Sequence, residues 1–156
     1  MRKRTLVLGI GNTLLGDDGA GIYAVRQLQA QFDATTDVEF LDGGTLSFTL
    51  AGSIGEADNL IVIDAAELDS TPGTLRIFLD RDMDQFLGAN RKSSVHEVSL
   101  LDLMSVALLS GNLPRRRALI GIQPQHLDWA DGPSEAVAQA IPMACREAAN
   151  LIGAWQ

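Results

Sequence analysis

Short continuous apolar runs alternate along this chain with stretches whose apolar residues recur at helical spacing. The first run, "TLVLGI" at residues 5–10, is bounded by glycine, as a strand buried on both faces would be. From Asp18 the apolar positions Ile22, Val25 and Leu28 predict a helix to Phe32, with Asp17 or Asp18 as its N-cap. "VEFLD" at 38–42 predicts a second strand. A second helix is expected within 43–57, with Leu46, Leu50 and Ile54 on one face. "NLIVIDA" at 59–65 reads as a third strand, "STPG" at 70–73 as a turn, and "TLRIFL" at 74–79 as a fourth strand.

The link between strands three and four is too short for a parallel crossover, so strand four is expected to run antiparallel to strand three. "VHEVSLLDLMSVALLSG" predicts a helix with Val98, Leu101, Ala107 and Leu108 facing inward. "ALIGIQP" ends a fifth strand at Pro124. A closing helix starts at Pro133 and Ser134, with Pro142 expected to kink or break it. The pattern describes one domain over residues 1–156. Its fold class is α/β: a three-layer α/β/α sandwich around a mostly parallel five-stranded sheet with one antiparallel strand.

Composition narrows the class. The chain has 156 residues, 46% hydrophobic and 21% charged, and a net charge of −8. An acidic chain of this kind has no basic face for nucleic acid. Its single basic run, Arg115 to Arg117, is expected to be a solvated edge before a strand. No apolar run nears the roughly 20 residues of a membrane span. The basic start "MRKR" precedes a strand and not a cleavable leader, so a cytoplasmic protein is expected. The one cysteine, Cys145, sits among helix-spaced apolar residues and is expected to be a buried structural thiol.

In such sheets ligands bind beyond the carboxyl ends of the strands. That edge collects Asp18 after strand one, Asp42 at the end of strand two, Asp64 at the end of strand three, and His96 opening a later helix. An acid ending a buried apolar run is costly unless something binds it. The opening "GIGNTLLGDDGAG" imitates a dinucleotide loop, but Leu14 stands where the third glycine belongs, and Asp17 and Asp18 would repel a pyrophosphate. Two aspartates and a histidine with open positions suit a divalent cation such as nickel or zinc. His126 is read as a loop residue.

"GIGNTLLGDDGAG", "LDGGT", "IVIDA", "SVHEVSLLDLM" and "ALIGIQP", in this order, resemble the maturation endopeptidases of nickel–iron hydrogenases. The resemblance runs from Leu6 to the last helix. It implies an endopeptidase that removes a C-terminal extension from the hydrogenase large-subunit precursor once nickel has been inserted. It also implies that Asp18, Asp64 and His96 contact that metal, supplied by the precursor, with Asp42 close to the same cleft. Where the family often has Glu, this chain has Asp18, one methylene shorter. No Ser-His-Asp or Cys-His arrangement and no His-Glu-x-x-His helix can be assembled, which leaves metal-assisted attack by water. Asp18, Asp42 or Asp64 would serve as the general base. The alternative reading is a nickel-binding chaperone that cleaves nothing.

Overall fold

The structure is a computed structural model that describes residues 3–32, 37–90 and 98–156. Its five strands are β1 (Thr5–Gly9), β2 (Val38–Asp42), β3 (Asn59–Ala65), β4 (Leu75–Leu79) and β5 (Arg116–Ile122). They form one sheet in the order β2-β1-β3-β5-β4, parallel except for β4. β4 does run against β3, as its short connection requires. Its hydrogen-bonded neighbour, however, is β5, which inserts between the two.

Alternation along the buried strands sends side chains to two cores. Val7, Ile61, Ile63, Ala118, Ile120 and Ile122 face α1 (Ala20–Gln31) and α5 (Glu135–Ala154). Leu6, Leu8, Leu60, Val62 and Leu119 face α2 (Leu50–Glu56), α3 (Arg81–Ala89) and α4 (Leu100–Leu109). The result is the expected three-layer α/β/α sandwich with one antiparallel strand. Among the described residues no helix is long and apolar enough to cross a membrane.

Several local expectations change. Helix α3 has no counterpart in the sequence reading, although its Met83, Phe86 and Leu87 stand at helical spacing and pack against the second core. Helix α4 starts later than expected, at Leu100. Ser99 caps it by accepting from the Asp102 N–H at 3.1 Å, while Asp102 Oδ2 accepts from the Ser99 N–H at 2.9 Å. Its inward stripe is Leu100, Leu103, Met104 and Ala107, whereas Leu108, in the last turn, is 62% exposed because the stripe runs out before it. Helix α5 passes through Pro142 as a single 20-residue helix. Pro142 lies on its exposed face, where water can take up the carbonyl that proline leaves unbonded.

The basic run is not simply solvated. Arg117 donates to both oxygens of Asp84, at 2.9 and 2.5 Å, and to the Pro114 carbonyl at 3.1 Å. Arg116 lies over the Trp155 ring at 5.2 Å. The fork geometry of arginine suits a half-buried aspartate, so the start of β5 is pinned to α3.

Candidate active site

The connection out of β1 runs to β2 on one side of it, while the connection out of β3 runs to β4 on the other. The chain direction therefore switches between the carboxyl ends of β1 and β3, the place where sheets of this kind hold ligands. Asp18 comes from the loop after β1 and Asp64 from the end of β3, so both belong to that switch point. Asp42 ends β2, across Gly9 of β1, and Ile63 pairs with the same glycine from the other side. Asp42 and Asp64 thus stand about two strand spacings apart, roughly 10 Å at the backbone, with the loop carrying Asp18 above the strand between them.

Glycines allow that loop to fold back on itself. Gly11 has φ +137°, and a Cβ there would lie 1.9 Å from the Asp18 carbonyl oxygen. A Cβ on Gly21, in the first turn of α1, would lie 2.0 Å from the Ile63 carbonyl oxygen. The helix start is thereby seated directly on the ends of β1 and β3, with a 3-10 turn, Gly16–Gly19, leading into it.

Neither aspartate caps α1, contrary to expectation: Gly19 holds the N-cap position with no side-chain cap. Asp18 Oδ2 instead accepts from the Asn12 N–H at 3.0 Å, which orients the half-buried carboxylate and occupies one of its oxygens. Asp17 is fully buried. It accepts from the backbone N–H groups of Ser134 at 2.6 Å, Gln125 at 2.7 Å and His126 at 3.4 Å, and from the Ser134 hydroxyl at 2.9 Å. Burial alone pushes the Asp17 carboxyl up, but the donors from Ser134, Gln125 and His126 together outweigh it and hold the pKa below the ordinary 3.8. Asp17 is thus a structural anion that ties the loop after β1 to the loop before α5.

Asp42 Oδ1 accepts from the Gly44 N–H at 2.9 Å, and its other oxygen lies 3.6 Å from Arg26 Nη2. These residues, with Gly11, Asn12, Thr13, Ile22 and Thr45, line an open cleft of about 300 Å³. Asp64 is half-buried, at the β5 register position of Gly121. Asp18, Asp42 and Asp64 share one edge. Among the described residues, however, no three His, Cys, Asp or Glu side chains gather as a metal-holding group. His96, the expected third ligand beside Asp18 and Asp64, lies outside the described residues.

Two polar residues at this edge escaped the sequence reading. The anchoring role of Asp17 has no local signal, because its partners lie more than a hundred positions away. Buried Gln123 follows β5 and accepts the Leu68 N–H at 2.6 Å, while its amide donates to Glu67 at 3.1 Å, which fixes the loop after β3. A polar residue directly after an apolar strand was the available signal, the same one that singled out Asp64. Cys145 is buried, donates to the Ala24 carbonyl at 3.3 Å, and is pushed by burial up to a pKa of about 11. It is an inert thiol in the core, as expected.

Comparison with known proteins follows the same lines. The family model for HycI, hydrogenase maturation protease, matches residues 22–151. The hydrogenase expression/formation protein HupD of Rhodobacter capsulatus is 40% identical over 154 residues, 98% of this chain and 73% of that protein. The hydrogenase 2 maturation protease of Escherichia coli K12 is 33% identical over 145 residues, 92% of this chain and 87% of that protein. Among solved structures, the hydrogenase maturating endopeptidase HybD from E. coli superposes with a TM-score of 0.88 at 33% identity, covering 97% of this chain and 93% of that one.

Proposed function

The chain belongs to the hydrogenase maturation protease family, and from that premise we propose that it is a nickel-dependent endopeptidase acting on the precursor of a nickel–iron hydrogenase large subunit, from which it removes a C-terminal extension. As a family member it is a hydrolase. The nickel belongs to the substrate: it arrives within the precursor, and Asp18, Asp64 and His96 of this chain contact it. The observation that carries the reading is that Asp18 and Asp64 come from the carboxyl ends of the two strands, β1 and β3, between which the topology switches. Aspartate and imidazole donors suit a borderline divalent ion with positions left open for substrate and water.

The reaction is peptide-bond hydrolysis. A water oxygen adds to the scissile carbonyl carbon, its proton passes to a carboxylate, the C–N bond breaks, and the leaving amine takes a proton. The nickel of the precursor serves by polarising the carbonyl or by lowering the pKa of the attacking water. Asp18, Asp42 and Asp64 are the candidate bases at the edge. Asp42, exposed on the cleft and oriented by the Gly44 N–H, is the one of the three that the metal-contact set leaves out.

The test is a processing assay with nickel-loaded and nickel-free precursor, read as loss of mass at the precursor's C-terminus. Cleavage of the loaded form alone is expected. Binding of loaded precursor with no cleavage would replace this reading by that of a nickel chaperone. Equal cleavage of both forms would remove the role of nickel.

A further inference from the structure

The rim of the carboxyl edge carries large apolar side chains that neither core uses. Leu14, in the loop after β1, is 58% exposed. Leu127 and Trp129, in the loop before α5, are 47% and 77% exposed. These two loops are joined to each other. Leu15 and Ala130 form a parallel β-bridge, and the Ala130 N–H donates to the Leu14 carbonyl at 3.3 Å. Leu14 and Trp129 each immediately precede a residue of this isolated bridge, which brings their two stretches of backbone together.

Beneath them Asp17 takes donors from Gln125, His126 and Ser134, which clamps the two loops into one platform. The exposed apolar residues therefore stand on fixed backbone. The platform is continuous with the candidate active site, since Leu14 lies between Asn12 and Asp18, which hydrogen-bond each other. Its surround is acidic, with exposed Asp128 and Asp131 on either side of the bridge residue Ala130, in a chain of net charge −8.

We propose that Leu14, Leu127 and Trp129 form the docking surface for the protein substrate, seating a precursor segment that carries apolar side chains flanked by basic ones beside the bond to be cut. This rests on the peptidase reading above and adds a recognition surface to it. An exposed tryptophan on a rigid mount is the kind of residue that dominates protein recognition. The acidic flank selects a basic partner and speeds its approach.

The experiment uses a nickel-loaded hydrogenase large-subunit precursor. The cleavage rate is followed against precursor concentration, and binding of the same precursor is measured directly. Trp129→Ser is expected to raise KM and Kd tenfold or more while kcat stays within twofold, because only docking is lost. Leu14→Ser should act in the same direction. Leu109→Ser, at a leucine that is 88% exposed at the end of α4, should change neither. Unchanged KM and Kd in both rim variants, with the unsubstituted chain active, overturns the docking surface and leaves the peptidase reading intact. If the unsubstituted chain cleaves nothing, the peptidase reading fails, and the Kd values alone decide the surface. If Trp129→Ser instead converts a dimer to a monomer in sedimentation with Kd for the precursor unchanged, the rim is a self-interface and the proposal falls. Should Trp129→Ser melt several degrees lower, Leu14→Ser carries the decision.

Discussion

The two edges of the sheet treat charge in opposite ways. At the amino edge, polar side chains cancel one another: Arg117 pairs with Asp84, Arg116 lies 3.6 Å from Asp80, and Asn59 donates to Thr5 at 3.2 Å. At the carboxyl edge, Asp17, Asp18 and Asp42 are held mainly by backbone N–H groups, which orient a carboxylate without neutralising it. Arg26, exposed and 3.6 Å from Asp42, contributes little screening there. A fold gains nothing by crowding oriented negative charge on one rim. The amino edge is therefore built for stability, and the carboxyl edge retains charge that a cationic partner would compensate. The same division appears within two consecutive residues: among the described residues Asp17 is fully buried with four donors, and Asp18 is half-buried with one.

The largest effect should come from Asp64→Asn. The amide keeps the size of the carboxylate but removes its charge and presents donors where a cation needs lone pairs. Cleavage of nickel-loaded precursor should fall about a thousandfold, on the order of 4 kcal/mol of transition-state stabilisation, in a protein that still folds. Full activity in a folded Asp64→Asn protein would dissolve the distinction between the edges. Asp42→Asn grades the same comparison: a loss as severe as that of Asp64→Asn makes Asp42 the base, and a mild one makes it a neighbour.

Asp17 provides the converse. Asp17→Ala strands three backbone N–H groups in a buried site, so a destabilisation of about 3–5 kcal/mol is expected in urea unfolding. The pH dependence has a definite sign. Because the folded pKa lies below 3.8, the stabilisation is present above the unfolded value and is lost as pH falls through the folded one. The stability gap between the unsubstituted chain and Asp17→Asn should therefore narrow on acidification below about pH 4. A gap that stays constant down to pH 2 would show that the carboxylate's charge is not what holds the loops.

At the amino edge, Asp84→Ala removes the two carboxylate acceptors of Arg117, leaving the Pro114 carbonyl, and should cost about 1–3 kcal/mol, since the guanidinium is mostly shielded from water. Its kcat and KM for precursor should match those of the unsubstituted chain. A change in either would mean that the two edges are coupled.

The comparison also explains what the sequence could and could not reveal. Strands β2 and β3 were legible to the residue, because a run such as Leu60 to Ile63 has no other comfortable place. Asp64 was legible as an edge acid because it follows such a run, and Asp42 because it ends a strand directly before Gly43 and Gly44. Helix α3 went unread although Met83, Phe86 and Leu87 stand at helical spacing and pack against the core, because the element is only nine residues long and its stripe only three residues. The role of Asp17 was hidden for another reason. In sequence it is one of two adjacent aspartates before a helix, and the donors that separate it from Asp18 come from a loop on the far side of the chain. Local pattern reports what a residue does to its own element; long-range hydrogen bonds leave no periodicity.

The smallest effect should come from the one group that belongs to neither edge. Cys145 lies in α5 within the core, with its thiol against the Ala24 carbonyl of α1. Burial raises its pKa to about 11, so near neutral pH it is a thiol and not a thiolate nucleophile. Cys145→Ala loses one sulfur atom's packing and a weak hydrogen bond, a cost of about 1 kcal/mol. Processing of nickel-loaded precursor should be retained at the rate of the unsubstituted chain, and blocking reagents for thiols should leave the native protein active. Loss of cleavage in a Cys145→Ala protein with a normal melting curve would place the chemistry in the core instead of at the carboxyl edge, since no stability effect of that size can abolish turnover in a chain that remains folded.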